Sequence, residues 1–386
     1  MRGVWPDNGS EASMKYLLTV VFCLWFSISQ AFANFGYYSP ISINSGQVPS
    51  TQTDFPVLVS VTDARFKTVA NSGHVQNSSG FDIRPYSDSG LTTAITGYEL
   101  ERYNATTGEV VMWVKVGSLS SSTTPIYLAY GDSGISTDGS STATWSNSFI
   151  NVYHMKDGTT LSVADSTGTN NGTNHSATAA TGQVDGCGSF ASSGPQYITC
   201  LTASFSGPVA VTFSAWVKAT TFANALETII GTNLSGGAQS YVYLYVKSNG
   251  KLACYVLTGA GDKNYDGTGS HTLSTGTWYY LTFSYSSAAG GIGYVNAASD
   301  ATFAGASNSS AANGDQRIGS DPRNASRDFN GVIDEARVAS VARSADWITT
   351  EYNNQIAPGT FETLGTEVSA GTIISSNRVT NLFFSD

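Results

Sequence analysis

The sequence predicts an all-β protein built as two β-sandwich domains. Short runs rich in Tyr, Val and Thr recur between Gly/Ser/Asn clusters along the chain. Within those runs apolar and polar residues alternate with period two. A length of 386 residues is too great for one typical domain and fits two, and no internal repeat relates the halves.

The elements follow in order. Lys15 precedes an uncharged apolar run, Tyr16 to Ile28, and then Ala31-Phe32-Ala33, the small-residue pattern read by signal peptidase. Residues 1–33 are therefore expected to be a signal peptide, with Met14 as an alternative start and Asn34 as the mature N-terminus. The run is short for a membrane span of about 20 residues, so the membrane enters only through this segment. The expected location is secreted, periplasmic or cell-surface.

Residues 34–132 read as a first β-sandwich. Phe55 to Val61 is an apolar strand, and Asp63 caps a short helical turn. Tyr98–Tyr103 and Val110–Val116 form a hairpin around Ala105-Thr106-Thr107-Gly108, and Pro125–Gly131 is the last strand. Residues 133–147 are Ser/Thr/Gly-rich and read as a linker, with Trp145 docking on a neighbouring sheet. The second domain spans 148–367. In it Phe213 and Val217 share a face, Leu281 and Phe283 share another, and the run Tyr241 to Val246 divides tyrosines from aliphatics. Asn330-Gly331 is a turn before the strand Val332–Val338, and Ser344 caps a helix with Asp346 in its first turn. Residues 368–386 are a polar tail.

Composition excludes some functions. The net charge is −10 with no clustered Lys/Arg, which argues against a nucleic-acid partner. No Gly-x-Ser-x-Gly elbow, zinc-spaced Cys/His cluster or phosphate loop occurs. Glu99 and Glu101 sit two apart on one strand, roughly 6.5–7 Å along it, a spacing within the range of inverting glycosidases. The simpler reading is a solvated strand face with Arg102 and Lys115 nearby.

Two segments between strands offer the amide, charged and aromatic groups that bind sugars: Asp262, Asn264 and Tyr265 in one, Arg323 and Asn324 in the other. Among the cysteines of the exported chain, Cys187 and Cys200 become opposed if a hairpin centres between Ser193 and Gly194, which predicts a disulfide. A hairpin slipped by one residue would put the sulfurs on opposite faces. Cys254 shares its face with Leu252 and Val256 and reads as a buried free thiol.

Several stretches resemble known families. Asp54 to Val59, Tyr98 to Asn104 and Ile126 to Asp132 resemble a bacterial domain of unknown function that often precedes a laminin-G-like domain. Val152-Tyr153-His154, Ala164 to Gly168, Gly276 to Tyr279, Tyr294-Val295-Asn296, Phe329 to Val338 and Arg343 to Trp347 resemble the laminin-G-like, concanavalin-A-like jelly rolls of bacterial secreted proteins. One departure is Ala297, where a turn glycine is common. The resemblance implies a jelly-roll binding module, with a glycan or other surface polymer as partner. It implies opening and closing strands close enough for Asp165 and Asp334 to share a structural calcium ion. Jelly-roll glucanases carry a Glu-x-Asp-x-x-Glu strand that this chain lacks, with Val332 where the first Glu would stand, so no enzyme is expected. The alternatives are a structural or adhesive block of a surface or virion assembly and, behind it, a glycoside hydrolase.

Overall fold

The period-two strands pair into antiparallel sheets stacked in layers, as seen in a computed structural model that describes residues 34–156, 159–194, 196–201, 210–234, 240–258, 261–305 and 314–370. The expected signal peptide and most of the tail lie outside these residues.

The first sandwich begins with β1 (Tyr37–Ile43), β2 (Gln52–Thr62), β3 (Arg84–Tyr86), β4 (Tyr98–Asn104), β5 (Glu109–Leu119) and β6 (Ile126–Tyr130). Strands β2, β5 and β4 form one sheet, and β1, β6 and β3 lie in the other. The core between them holds Val57, Val59, Met112 and Val114 from one sheet and Ile41, Ile126 and Leu128 from the other. Asp63 caps the turn Ala64–Phe66 by accepting from the Arg65 amide. Trp113 lies on the far side of β5, in a separate cluster with Leu58, Trp145 and Val152, as period two requires of the neighbour of Met112.

The second sandwich takes β7 (Phe149–Tyr153), β8 (Thr173–His175), β9 (Thr178–Thr181), β10 (Gly186–Phe190), β11 (Tyr197–Leu201), β12 (Ala210–Ala219), β13 (Leu226–Leu234) and β14 (Ser240–Lys247). It continues through β15 (Leu252–Thr258), β16 (Gly261–Asp266), β17 (Tyr279–Ser286), β18 (Gly290–Val295), β19 (Ala298–Phe303), β20 (Gly314–Ile318) and β21 (Gly331–Ala339). One sheet runs β19-β18-β17-β12-β21-β10-β9, with β7 also on β21; the other runs β16-β15-β14-β13-β20-β11-β8. Phe213, Val217, Leu281 and Phe283 meet Val242, Leu244, Val246 and Cys254 in the core. Asn296 and Ala297, at φ +50° and +64°, make the two-residue turn between β18 and β19, so Ala297 adopts a conformation usually left to glycine.

The closing segment returns to the first sandwich. After β21 come α1 (Ala345–Ile356), β22 (Glu362–Leu364) and β23 (Val368–Ser369), and both strands pair with β1. Ser344 caps α1 through the Trp347 amide. Trp347 and Phe361 enter the first core, while Ile348 packs on Trp216 of the second sandwich. Asn354 of α1 donates to the Leu58 carbonyl and accepts from its amide, covering the free edge of β2. The expected second-domain span of 148–367 thus includes residues that complete the first sandwich. Both belong to one compact unit beginning at Phe35.

The expected Cys187–Cys200 disulfide is not formed; both thiols are free and buried. The chain between them does not turn back as a hairpin but crosses between sheets. Strand β10 pairs with β9 and β21, and β11 with β8 and β20. Cys254 is a buried free thiol in the core beside Leu252 and Val256.

Candidate functional site

Register across the seven-stranded sheet aligns one row of outward residues. Thr173 pairs with Thr199, Thr199 with Arg317, Arg317 with Gly231, Gly231 with Tyr243, Tyr243 with Tyr255, and Tyr255 with Asn264. Gly231 matters by what it lacks: a Cβ there would lie 2.4 Å from the Tyr243 ring, so the ring lies across the strand. Tyr243 stacks on Tyr245 at 4.7 Å and 8°. Asp321 accepts both of their hydroxyls at 2.7 and 2.9 Å. Arg323 lies 3.9 Å above the Tyr241 ring, and Arg327 donates to Asp321 at 2.8 Å. At the other end Arg317 lies 4.3 Å above Tyr197, whose opposite contact is His175, stacked at 4.2 Å. The result is a sheet face on which Tyr243, Tyr245 and Asp321 are buried while Tyr197, Tyr255, Arg317 and Arg323 reach solvent.

A second constellation lies at the seam between the sandwiches. Glu99 and Glu101 of β4 share a face, as their spacing requires, but the face is not solvated. Trp113 Nε1 donates to Glu101 at 2.6 Å, and Trp145 Nε1 donates to Glu99 at 2.7 Å. His154, just after β7, places Nδ1 2.7 Å from Glu335 and 3.5 Å from Glu101, with Nε2 3.5 Å from Glu99. Arg337 pairs with Glu335 at 2.5 Å and with Glu351 of α1 at 2.8 Å, and it lies 4.2 Å above the Trp113 ring. The simpler sequence reading of a solvated pair fails because the three-stranded sheet is covered on both sides. That reading missed His154, Glu335, Arg337 and Glu351. The available signal was charge inside otherwise apolar strands: His154 after Val152-Tyr153, and Arg337 before Val338.

Burial sets the electrostatics of the seam. It pushes the Glu101 carboxyl up to about 8 against the opposing His154 charge, with Glu335 adding to the rise. Burial alone would lower the His154 imidazole, but Glu101, Glu335 and Glu99 outweigh it and hold the ring well above its ordinary value. Glu99 feels the same burial, yet the His154 charge and the hydrogen bonds from Trp145 and Ser166 hold it down at about 2. Asp334 and Glu335 also depart from the expectation that strand neighbours face apart. The ladder slips here, Glu335 adopts φ +51°, and Ile333, Ala336 and Val338 take the core positions. Asp334 is thereby close enough to Glu335 for the latter's charge, after burial itself, to push its carboxyl well up.

The remaining sequence-derived site residues are dispersed. The side chains of Asp262 and Tyr265 lie outside the described residues; their segment is the edge strand β16 rather than a loop, and Asn264 is exposed on it. Arg323 belongs to the tyrosine face, whereas Asn324 caps the turn Ala325–Arg327. Asp165 accepts from the Val152, Thr167 and Asn170 amides and from the Thr167 hydroxyl. Asp334 accepts from the Gln183 and Val184 amides instead. The two aspartates share none of these partners.

Among solved structures the chain is similar to domain 4 of AbnA, a GH43 extracellular arabinanase from Geobacillus stearothermophilus, in complex with arabinotriose. That likeness has 18% identity over 52% of this chain and 96% of that one, with a TM-score of 0.43. A SAP-like pentraxin from Limulus polyphemus is 18% identical over 42% of this chain and 78% of that one, with a TM-score of 0.35. The receptor binding domain of botulinum neurotoxin D is 14% identical over 54% of this chain and 53% of that one, with a TM-score of 0.41. No curated protein matches the chain. With the jelly-roll topology in place, the family matches fall in the order its motifs imply: the chain carries a domain of unknown function (DUF2341) at residues 79–168, followed at residues 192–349 by a domain of the concanavalin A-like lectin/glucanases superfamily.

Proposed function

We propose that the chain is an exported recognition protein that binds an extended polysaccharide across the outer face of its seven-stranded sheet. The observation that carries this reading is the register-aligned row from Thr173 through Arg317 and Tyr243 to Asn264. At about 4.8 Å per strand, its seven positions extend over roughly 29 Å. Tyr243 within it is buried beneath Arg323, so the contacts open to a ligand lie on either side of it, a spread suited to a chain of sugars rather than one ring. Sugars present apolar C–H faces, which pack on rings, and hydroxyls, which pair with guanidinium and amide groups. Tyr197, Arg317, Tyr255 and Asn264 offer both kinds of contact and are half-buried or exposed. Export rests on the Lys15–Ala33 pattern, and the mass of the mature N-terminus checks cleavage before Asn34.

The test is a glycan array and a pull-down on insoluble polysaccharides, using the mature chain with and without calcium. Saturable, competable retention that weakens at least tenfold in Arg317→Ala and Tyr255→Ala is expected. Asp165 spends its carboxylate on its own loop and on the Val152 amide of β7, so calcium is expected to leave retention unchanged. Retention unaffected by either substitution would move the ligand off this face. Absence of retention on every glycan, together with ordered self-association, would favour the structural-block reading.

A further inference from the structure

We propose that Glu101, His154 and Glu335 form a binding site for one divalent transition-metal ion of the zinc class. Each residue offers one ligand atom, and those atoms all lie within 4.8 Å of one another. The donors come from three places in the chain: β4, the residue after β7, and β21. All are withdrawn from water, with residue exposures of 5%, 3% and 0% respectively.

The donor set selects the ion. One imidazole nitrogen with two carboxylate oxygens suits zinc, which takes such ligands at about 2.0–2.2 Å and fills a fourth position with water. Calcium and magnesium prefer oxygen alone. Around a tetrahedral ion at these distances, ligand atoms stand roughly 3.4 Å apart. The His154–Glu101 separation of 3.5 Å already matches that spacing, and the 2.7 Å His154–Glu335 contact must open by less than an ångström.

Each donor is held from behind. His154 Nε2 faces Glu99 at 3.5 Å, and Glu99 is fixed by Trp145 and Ser166. Glu101 is held by Trp113, and Glu335 by Arg337. A carboxylate behind the ligating histidine and hydrogen bonds behind the ligating carboxylates are the usual supports of such a site.

A second observation is independent of the clustering. Glu101 Oε1 is buried and has no hydrogen-bond partner among the described residues. The same pocket gathers Glu99, Glu101, Glu335 and Glu351 against His154 and Arg337. An ion there would also tie Glu101 of the first sandwich to Glu335 of the second.

The experiment uses the full mature chain, stripped with chelator and titrated with zinc by calorimetry, and with cobalt(II) by visible absorption. One zinc per chain, a rise in Tm and a four-coordinate cobalt spectrum are expected. X-ray absorption should show a single imidazole and oxygen ligands. Glu101→Gln and His154→Gln, which nearly keep side-chain size, should weaken zinc by about 100-fold or more, and the outer Glu99→Gln by about 10–100-fold. Since the spectra are read on the unsubstituted protein, a variant that fails to fold leaves the test intact. The proposal is overturned if the stripped chain takes up no stoichiometric zinc. Two or more imidazoles on the ion, or undiminished zinc in a folded His154→Gln, would also overturn it.

Discussion

At the seam Arg337 lies over the Trp113 ring between Glu335 and Glu351, and all three charged residues are at most 4% exposed. On the outer face of the seven-stranded sheet Arg323 lies over Tyr241 beside Asp321, with a quarter of its side chain in water. The parts are alike: a guanidinium, an aromatic ring and a carboxylate. What differs is the solvent. At the seam low polarity magnifies each charge, so pairing is a condition of folding. On the outer face Asp321 is equally buried, but Arg323 and Arg327 keep 25% and 30% of their side chains in water, so the guanidinium side of each contact is screened and open to a ligand.

The contrast is broken most severely at Arg337. Arg337→Met removes the cation and leaves Glu335 and Glu351 buried without it, at an expected cost of about 3–5 kcal/mol in metal-free protein. Denaturant unfolding measures it, and a cost below about 1 kcal/mol would contradict the buried network. Asn354→Ala probes a neutral support of the same region, because it strands the amide and carbonyl of buried Leu58. A loss of about 2–3 kcal/mol is expected by the same method.

Asp321 sharpens the other side. Burial raises its carboxyl, but the Arg323 amide, the Tyr243 hydroxyl and the Arg323 charge together hold it below the ordinary aspartate value. Its contribution is therefore complete above the unfolded value of about 3.9 and is lost as pH falls through the lower folded value. Asp321→Asn should cost about 1–2 kcal/mol at pH 7, with the gap to the parent chain narrowing in melts at pH 3. A gap that widened in acid would mean the sign is wrong. The smallest stability effect belongs to Arg323→Ala, at under about 1 kcal/mol. Thermal melts alongside polysaccharide retention should show that loss with weakened binding; a large Tm drop would make the outer face structural after all.

Much of the fold was legible because period two is a local signal. The faces of Val211–Val217, Tyr241–Val246 and Tyr279–Ser286 follow from alternation, and the Ser344 cap from a helix-start rule. The crossover that keeps Cys187 and Cys200 apart was not legible, since Ser192-Ser193-Gly194 suits a turn and a crossover equally, and only pairing partners separate them. The seam was half legible. The spacing of Glu99 and Glu101 put both carboxylates on one face, but nothing within that strand says what covers the face.

By itself the sequence determined strand positions, the inward and outward sides of most strands, the turns and the order of the two domains. These depend on residues within a few positions of one another, where sterics and alternation act directly. Tertiary structure alone decided that Glu99, Glu101, His154 and Glu335 meet, that β22 returns to β1, and that Thr173, Arg317 and Tyr255 fall in one row. Those outcomes bring together residues far apart in the chain. They are set by which faces bury each other, and burial is also what gives the seam carboxylates and histidine their chemistry.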